Sequence, residues 1–594
     1  MFAGWIADGS GILVTTRAGS VAQVHRLDRA GGVPEQLTTG DEPVAGIAVH
    51  PLRNGFVYAS DLGGSESYQL YWYDLETREV RLLTDGRSRN SDPLFSADGR
   101  LLAYSSTRRN GTDTDLRLLD IASGESRALI ENGGNWRAIE FTPDARNLLA
   151  LRRLSLERSE ARSVDVVSGE QSVVQDPHRR ITFDAFLYAP ARKGAYYVSN
   201  RAHDRRELHY RSFAGKRVRR LSAHVPWDVT EFTLSRDGRR IAFVANEEGF
   251  GTLHLIDTAT SAEIALPAFP RGIVISPDFS PDGTRLAFTL NSAQSPSEVH
   301  VINIAAQTIE RWTKHADEES ASLQFTSPQL VRFRTFDRVG MRRRTIPTLY
   351  YRPASATTGS PVPVVIDIHG GPAAQARPAF NAEIQFLVNE LGVAVLMPNV
   401  RGSSGYGSSY RDLDNGMRRE DAVRDIGALL DWIAAQPELD ASRVGVRGVS
   451  YGGYMALATM IHYGDRLRAG VSVAGISNFV TFLSETGSYR RDQRRLEYGD
   501  ERETRMRGFL ERISPLTRAE RIRSPLLVAH GVNDPRVPVG EADQLVRSVR
   551  ERGGDVWYLR FDDEGHGFRK TANADRYTAL QMLFWQRHLL MSTE

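Results

Sequence analysis

The 594-residue chain has no cysteine. That excludes disulfides, thiol nucleophiles and thiolate-held metals together. Its 14 histidines fall into no H-E-x-x-H or comparable ligand spacing, so no metal site and no cofactor are expected. Neither sign of charge dominates: 75 Lys and Arg stand against 73 Asp and Glu, leaving +2. These charges form no polybasic block, which argues against nucleic-acid and membrane-surface partners. Long apolar runs are missing as well. No stretch approaches the roughly 20 residues that span a bilayer, and the opening MFAGWIADGSGILV has no basic region followed by an apolar core. The expected location is the cytoplasm, with a form trimmed of a secretion signal as the alternative.

A chain of this length exceeds what one hydrophobic core usually serves, so two or more domains are expected. From residue 1 to about 325 one phrase recurs: an apolar residue, Ser or Thr, a turn with Asp, then alternating apolar residues. It reads WIADGSGILVTTR at Trp5, FSADGRLLAYSST at Phe95, FTPDARNLLALRR at Phe141, LSRDGRRIAFVAN at Leu234 and FSPDGTRLAFTLN at Phe279. Asp8, Asp98, Asp144, Asp237 and Asp282 are 90, 46, 93 and 45 residues apart. Degenerate copies at Val49 and Leu187 fill the two double gaps, which makes seven units. Asp-Gly turns followed by period-2 alternation, repeated at this interval, predict a seven-bladed β-propeller over residues 1–325. A sandwich array or solenoid is the alternative.

After about Gln329 the texture changes to apolar runs separated by amphipathic helices. PVPVVIDIHGG, GVAVLMPNVRG, SRVGVRGVS, AGVSVAGIS, PLLVAHG and VWYLRFD read as strands buried on both faces. Between two of them Ala422, Val423, Ile426, Leu429, Leu430 and Ile433 recur at helical spacing. Alternating strand and helix predicts a doubly wound, mostly parallel α/β-hydrolase sheet over residues 326–594, entered through an antiparallel hairpin at VRFRTFDRVGMRRRTIPTLYY.

Within that sheet GVSYG places Ser450 between glycines at a strand-to-helix junction. G-x-S-x-G is weak evidence by itself in a chain with 51 glycines. At this junction, however, it suits a nucleophile lifted above the sheet by a sharp turn; the alternative is a helix N-cap serine. A serine hydroxyl needs a base, and the base needs an acid. Asp534, after PLLVAHG, and His566, after VWYLRFD, follow Ser450 by 84 and a further 32 residues. Both are expected beyond the C-terminal ends of successive strands, where the crevice of such a sheet lies. His530 lies too close to its strand and suits a structural role, while Asp562, Asp563 and Glu564 lie too near His566 along the chain to orient it. The backbone N–H of Tyr451 and that of Gly371, in HGGP, are the expected oxyanion donors.

The phrases HGGP, NVRGSSGYG, GVSYGGY, HGVNDPRVP and DEGHGF together resemble the prolyl oligopeptidase family of serine peptidases, in its acylaminoacyl-peptidase-like branch, and the resemblance covers nearly the whole chain. It implies the triad Ser450, Asp534 and His566, short peptide substrates, and a propeller that limits substrate size. Prolyl-specific members use a tyrosine side chain near the first loop where this chain has HGGPAAQ, so the backbone of Gly371 takes that place and strict proline specificity is not implied. The family's arginine that holds a substrate carbonyl corresponds to Arg536. The glutamate pair of the dipeptidyl-peptidase branch has only a weak counterpart in Glu247 and Glu248, for which a solvated turn is the simpler expectation. The arginines within 487–495 either border a specificity pocket or form a solvated basic face. An esterase and a catalytically idle scaffold are the competing readings, and homo-oligomerisation is left open.

Overall fold

A computed structural model describes residues 1–155, 158–175, 181–190, 193–201, 203–215, 218–314 and 323–591. It divides into two compact units. The first holds described residues 1–62, 66–292 and 297–314, and the second holds 63–65, 293–296 and 323–591.

The first unit is a seven-bladed propeller. Residues 2–36, 44–82, 90–130, 136–175 and 183–220 each fold into a four-stranded antiparallel sheet of consecutive strands. Residues 228–257 and 273–311 supply three and four further strands, joined through the single bridge Gly251–Ile273. The sixth blade thus has three full strands, and its outer edge is marked by the isolated bridge Ile256–Glu263. Packing closes the ring, because Phe2, Trp5 and Ile12 of the first blade share an apolar cluster with Ala287, Val301 and Trp312 of the last. In addition, Phe2 N–H donates to Thr289 Oγ1 at 2.7 Å.

The recurring Asp shapes the turn between the first two strands of a blade. Ser96 Oγ donates to Asp98 Oδ1 at 2.5 Å, and Thr142, Ser235 and Ser280 do the same to Asp144, Asp237 and Asp282 at 2.6 Å. In the degenerate second copy His50 replaces this aspartate as acceptor: Leu52 N–H and Arg53 N–H donate to its Nδ1 at 3.1 and 2.8 Å. Its Nε2, 3.1 Å from Gly99 O, is therefore the protonated nitrogen. Gly99 has φ +70°, and a Cβ there would lie 2.2 Å from the His50 ring, so glycine is required both by conformation and by space.

The second unit is an eight-stranded sheet flanked by helices. Its strands are β1 (Gln329–Val339), β2 (Arg342–Tyr351), β3 (Val362–Ile368), β4 (Ala394–Pro398), β5 (Leu439–Val449), β6 (Ala469–Val473), β7 (Leu526–Gly531) and β8 (Val556–Phe561). They lie in the order β1-β2-β4-β3-β5-β6-β7-β8, antiparallel at the β1–β2 and β2–β4 pairs and parallel elsewhere. The helices that matter for the site are α1 (Ala382–Asn389), α2 (Asp421–Ala434), α3 (Tyr451–Tyr463), α4 (Phe479–Glu485), α5 (Ser488–Tyr498), α6 (Thr504–Ile513), α7 (Gly540–Glu551) and α8 (Thr571–Trp585). Alternation along β3 sends Val364 and Ile366 into a cluster with α2, α3 and α7, and Val365 into one with α1 and α8. Both faces of the sheet are covered, as continuous apolar strands require. The six α2 residues named from their spacing are all buried.

Candidate active site

β5 ends at Val449, and Ser450 follows with φ 62° and ψ −119°, a left-handed conformation rare for a residue with a Cβ. Ser450 N–H donates to Val473 O at 2.8 Å and Tyr454 N–H to Ser450 O at 3.1 Å. These bonds hold a turn that costs on the order of 1–3 kcal/mol. Ser450 occupies the N-cap position of α3, but its side chain makes no capping hydrogen bond to the helix. The flanking glycines answer a steric demand: a Cβ on Gly452 would lie 2.0 Å from Ile368 O, and one on Gly448 2.1 Å from Gly452 O. Strand, elbow and helix meet backbone against backbone.

Asp534 and His566 follow β7 and β8, at the same C-terminal edge of the sheet. Main-chain bonds join their two loops, from Val532 N–H to Phe561 O at 2.9 Å and from Asn533 N–H to Glu564 O at 3.0 Å. His566 Nδ1 lies 2.6 Å from Asp534 Oδ2, which makes Nδ1 the donor and leaves Nε2 as the proton acceptor. Asp534 Oδ1 accepts from Arg536 N–H at 2.8 Å and Val537 N–H at 3.1 Å. Burial raises the Asp534 pKa, but hydrogen bonds from His530 and His566 outweigh it and hold the carboxyl well below the usual range. His530 is fully buried, with Nε2 2.8 Å from Val537 O and 3.3 Å from Asp534 Oδ2. It is a structural histidine behind the acid. Glu564 is buried too, accepting from Arg569 N–H and Lys570 N–H at 2.9 Å, and so faces its own loop.

The HGGP segment leaves β3 beside the elbow: a Cβ on Gly370 would lie 3.4 Å from Ser450 Cβ. His369 braces it, Nδ1 lying 2.7 Å from Gly370 O and Nε2 2.8 Å from Ser403 Oγ. Asn399 braces the residues beyond, accepting from Ala376 N–H at 2.7 Å and donating to Ala376 O at 3.1 Å. Among the described residues no acceptor meets the N–H of Gly371 or of Tyr451, the first residue of α3.

One buried network behind these two residues was not legible in the sequence. Tyr498, the last residue of α5, donates its hydroxyl to Gly371 O at 3.1 Å, and Tyr451 donates its own to Asp414 Oδ2 at 3.2 Å. Arg419, 1% exposed, pairs with Asp414 and donates to Glu497 O at 2.8 Å. Its guanidinium lies over the rings of Tyr451 and Tyr498, 5.3 and 4.9 Å from their centroids. Burial pushes the Asp414 carboxyl up to about 6 although Arg419 opposes the shift. Both oxyanion candidates therefore lean on a single ion pair.

Arg536 is half-buried, its main chain fixed by Asp534 and by Thr486 Oγ1, which donates to Arg536 O at 2.7 Å. The arginine run forms α5. Arg491 donates to Thr486 O at 3.0 Å, Arg494 to Glu497 at 2.5 Å, and Arg495 to Asp492 and Glu501, both at 3.0 Å. Arg494 and Arg495 are therefore charge-paired within the chain, whereas Arg491 meets a neutral main-chain carbonyl. Glu247 and Glu248 lie in a hairpin of the sixth blade, Glu248 at φ 55°. The described residues group three potential metal ligands at one place, in the first unit.

Residues 378–592 match the family model described as the prolyl oligopeptidase family. Dipeptidyl aminopeptidase BIII of Pseudoxanthomonas mexicana is 36% identical over 224 residues, 37% of this chain and 32% of its own. Acylamino-acid-releasing enzyme 2 of Oryza sativa subsp. japonica is 26% identical over 250 residues, 40% of this chain and 32% of its own. The chain thus spans about a third of the length of these curated relatives. A solved puromycin hydrolase shares the fold over 100% of this chain and 95% of its own, with a TM-score of 0.85 at 20% identity.

Proposed function

We propose that this chain, whose residues 378–592 form a prolyl oligopeptidase family domain, is a serine peptidase that hydrolyses short peptides. The observation that carries the reading is the 2.6 Å pair of His566 and Asp534 at the sheet edge that also bears the strained Ser450 turn. In this mechanism Ser450 Oγ attacks the scissile carbonyl carbon while His566 Nε2 takes the hydroxyl proton. Asp534, kept ionised, steadies the imidazolium. The N–H groups of Tyr451 and Gly371 receive the negative oxygen of the tetrahedral intermediate. Its collapse breaks the C–N bond, and His566 returns the proton to the leaving amine. A water, deprotonated by the same imidazole, then releases the acyl group from Ser450. Arg536 is assigned to a substrate backbone carbonyl, and cytoplasmic action on peptides small enough to pass the propeller completes the reading.

The same groups cleave esters, and the relatives include enzymes named for free and for blocked amino termini. A panel of chromogenic peptides, blocked and unblocked, is therefore tested beside short acyl esters, with Ser450→Ala as the blank. Peptide kcat/KM above that for esters supports the peptidase. Ester turnover with no peptide cleaved makes the chain an esterase.

A further inference from the structure

We propose that His224, His254 and Glu263 of the propeller form a binding site for a divalent transition-metal ion, zinc fitting best, that fastens the connection between the fifth and sixth blades to the outer edge of the sixth. His224 lies in the segment after the strand Val218–Arg220, His254 within Phe250–Asp257, and Glu263 at the bridge opposite Ile256. Their spacings of 30 and 9 residues match no metal motif, so the sequence gives no sign of the site, and the proposal departs from the metal-free expectation.

Three observations point to an ion. First, both imidazoles converge on one carboxylate oxygen: His224 Nε2 and His254 Nδ1 lie 2.8 and 2.9 Å from Glu263 Oε1. All three ligand atoms fall within 4.8 Å of one another. Zinc bonds of about 2.0–2.1 Å in a tetrahedron set donors roughly 3.3 Å apart, so about half an ångström of opening brings both N···O pairs to that separation, with water as fourth ligand. Second, the far nitrogen of His254 is buried without a hydrogen bond, and Glu247 Oε1 lies 3.6 Å from it. A carboxylate behind a ligating imidazole is the arrangement that orients and strengthens such a ligand. Third, the His254 ring is fixed, stacked on Phe243 at 4.7 Å with planes 7° apart and edge-on to His224 at 6.3 Å. Two imidazoles and one carboxylate suit zinc, and not the oxygen-seeking calcium or magnesium.

His224 and Glu263 are 48% and 49% exposed, so substitutions at these two leave the apolar packing in place, whereas replacing His254, 15% exposed, also removes the ring stacked on Phe243. The test titrates the full chain, stripped with a chelator, with Co²⁺, reading visible d–d absorption, and then displaces it with Zn²⁺. One saturable equivalent with tetrahedral absorption is expected. His224→Gln and His254→Gln each abolish it, and Glu247→Gln weakens it by about 10-fold or more. His566→Ala keeps it, and zinc raises the melting temperature of the unsubstituted chain. Absence of a saturable equivalent overturns the proposal, as does an equivalent that survives the His224→Gln, His254→Gln double variant with unchanged circular dichroism.

Discussion

The Tyr498 hydroxyl is hydrogen-bonded to Gly371 O, the carbonyl of the residue assigned as an oxyanion donor. Its removal therefore separates loop positioning from direct contact with substrate. Loss of one neutral hydrogen bond is worth about 1 kcal/mol, so Tyr498→Phe is expected to lower kcat roughly 5- to 10-fold with KM nearly unchanged. Steady-state kinetics on one chromogenic peptide check this, and an altered KM at constant kcat would place the hydroxyl in substrate binding instead. His566→Ala is expected to lose several orders of magnitude in kcat, with Asp534→Asn less affected, because the acid acts only through the base. Asp534 also carries a pH dependence. Its folded-state pKa is depressed, so its share of stability is complete above the unfolded value of about 3.9 and disappears as pH falls through the acid range. Acid unfolding followed by circular dichroism is accordingly expected to be less steep in Asp534→Asn than in the parent. An unchanged acid limb would contradict the network drawn around the acid.

At the scale of elements, the arch between β4 and α2 rests on a buried pair. Arg401 donates to Asp425 from Nε at 2.9 Å and Nη2 at 2.8 Å, and Thr335 Oγ1 of β1 adds a bond at 2.6 Å. Asp425→Ala leaves Arg401 with only the partly exposed Asp337, 2.9 Å from its Nη2, so it is expected to cost less than the about 3–5 kcal/mol of a fully orphaned buried charge, read as a shift in urea midpoint. Elements of this kind differ in how far the sequence reveals them. The seven blades and the parallel strands were legible because period-2 alternation and unbroken apolar runs follow directly from which faces are buried. The placement of Ser450, Asp534 and His566 beyond β5, β7 and β8 was legible because a doubly wound sheet gathers its strand ends. The shortened sixth blade was not, since a missing edge strand leaves the inner alternation untouched. Arg419 and Tyr498 were hidden for another reason: they are 79 residues apart, and each sits in an arginine-rich stretch that reads as surface. Only the fold shows that Arg419 is buried between two tyrosine rings.

For the whole molecule, the pairing of a propeller with a hydrolase sheet leads to a prediction about substrate size. Peptides that share one cleavage sequence and range from a few to about 40 residues are expected to show a steep fall in kcat/KM at the long end. A folded protein cleaved as fast as a short peptide at that sequence would remove size limitation from the propeller's role. All of this presupposes that Ser450 is the attacking group, and a covalent probe reports on that without any choice of substrate. The full chain is treated with a fluorophosphonate, digested and mapped by mass spectrometry beside Ser450→Ala. The account predicts a single adduct on Ser450, none in the variant, and loss of peptide turnover in both the labelled and the substituted protein. An adduct on another serine that accompanies inactivation, or full turnover by Ser450→Ala, would contradict it.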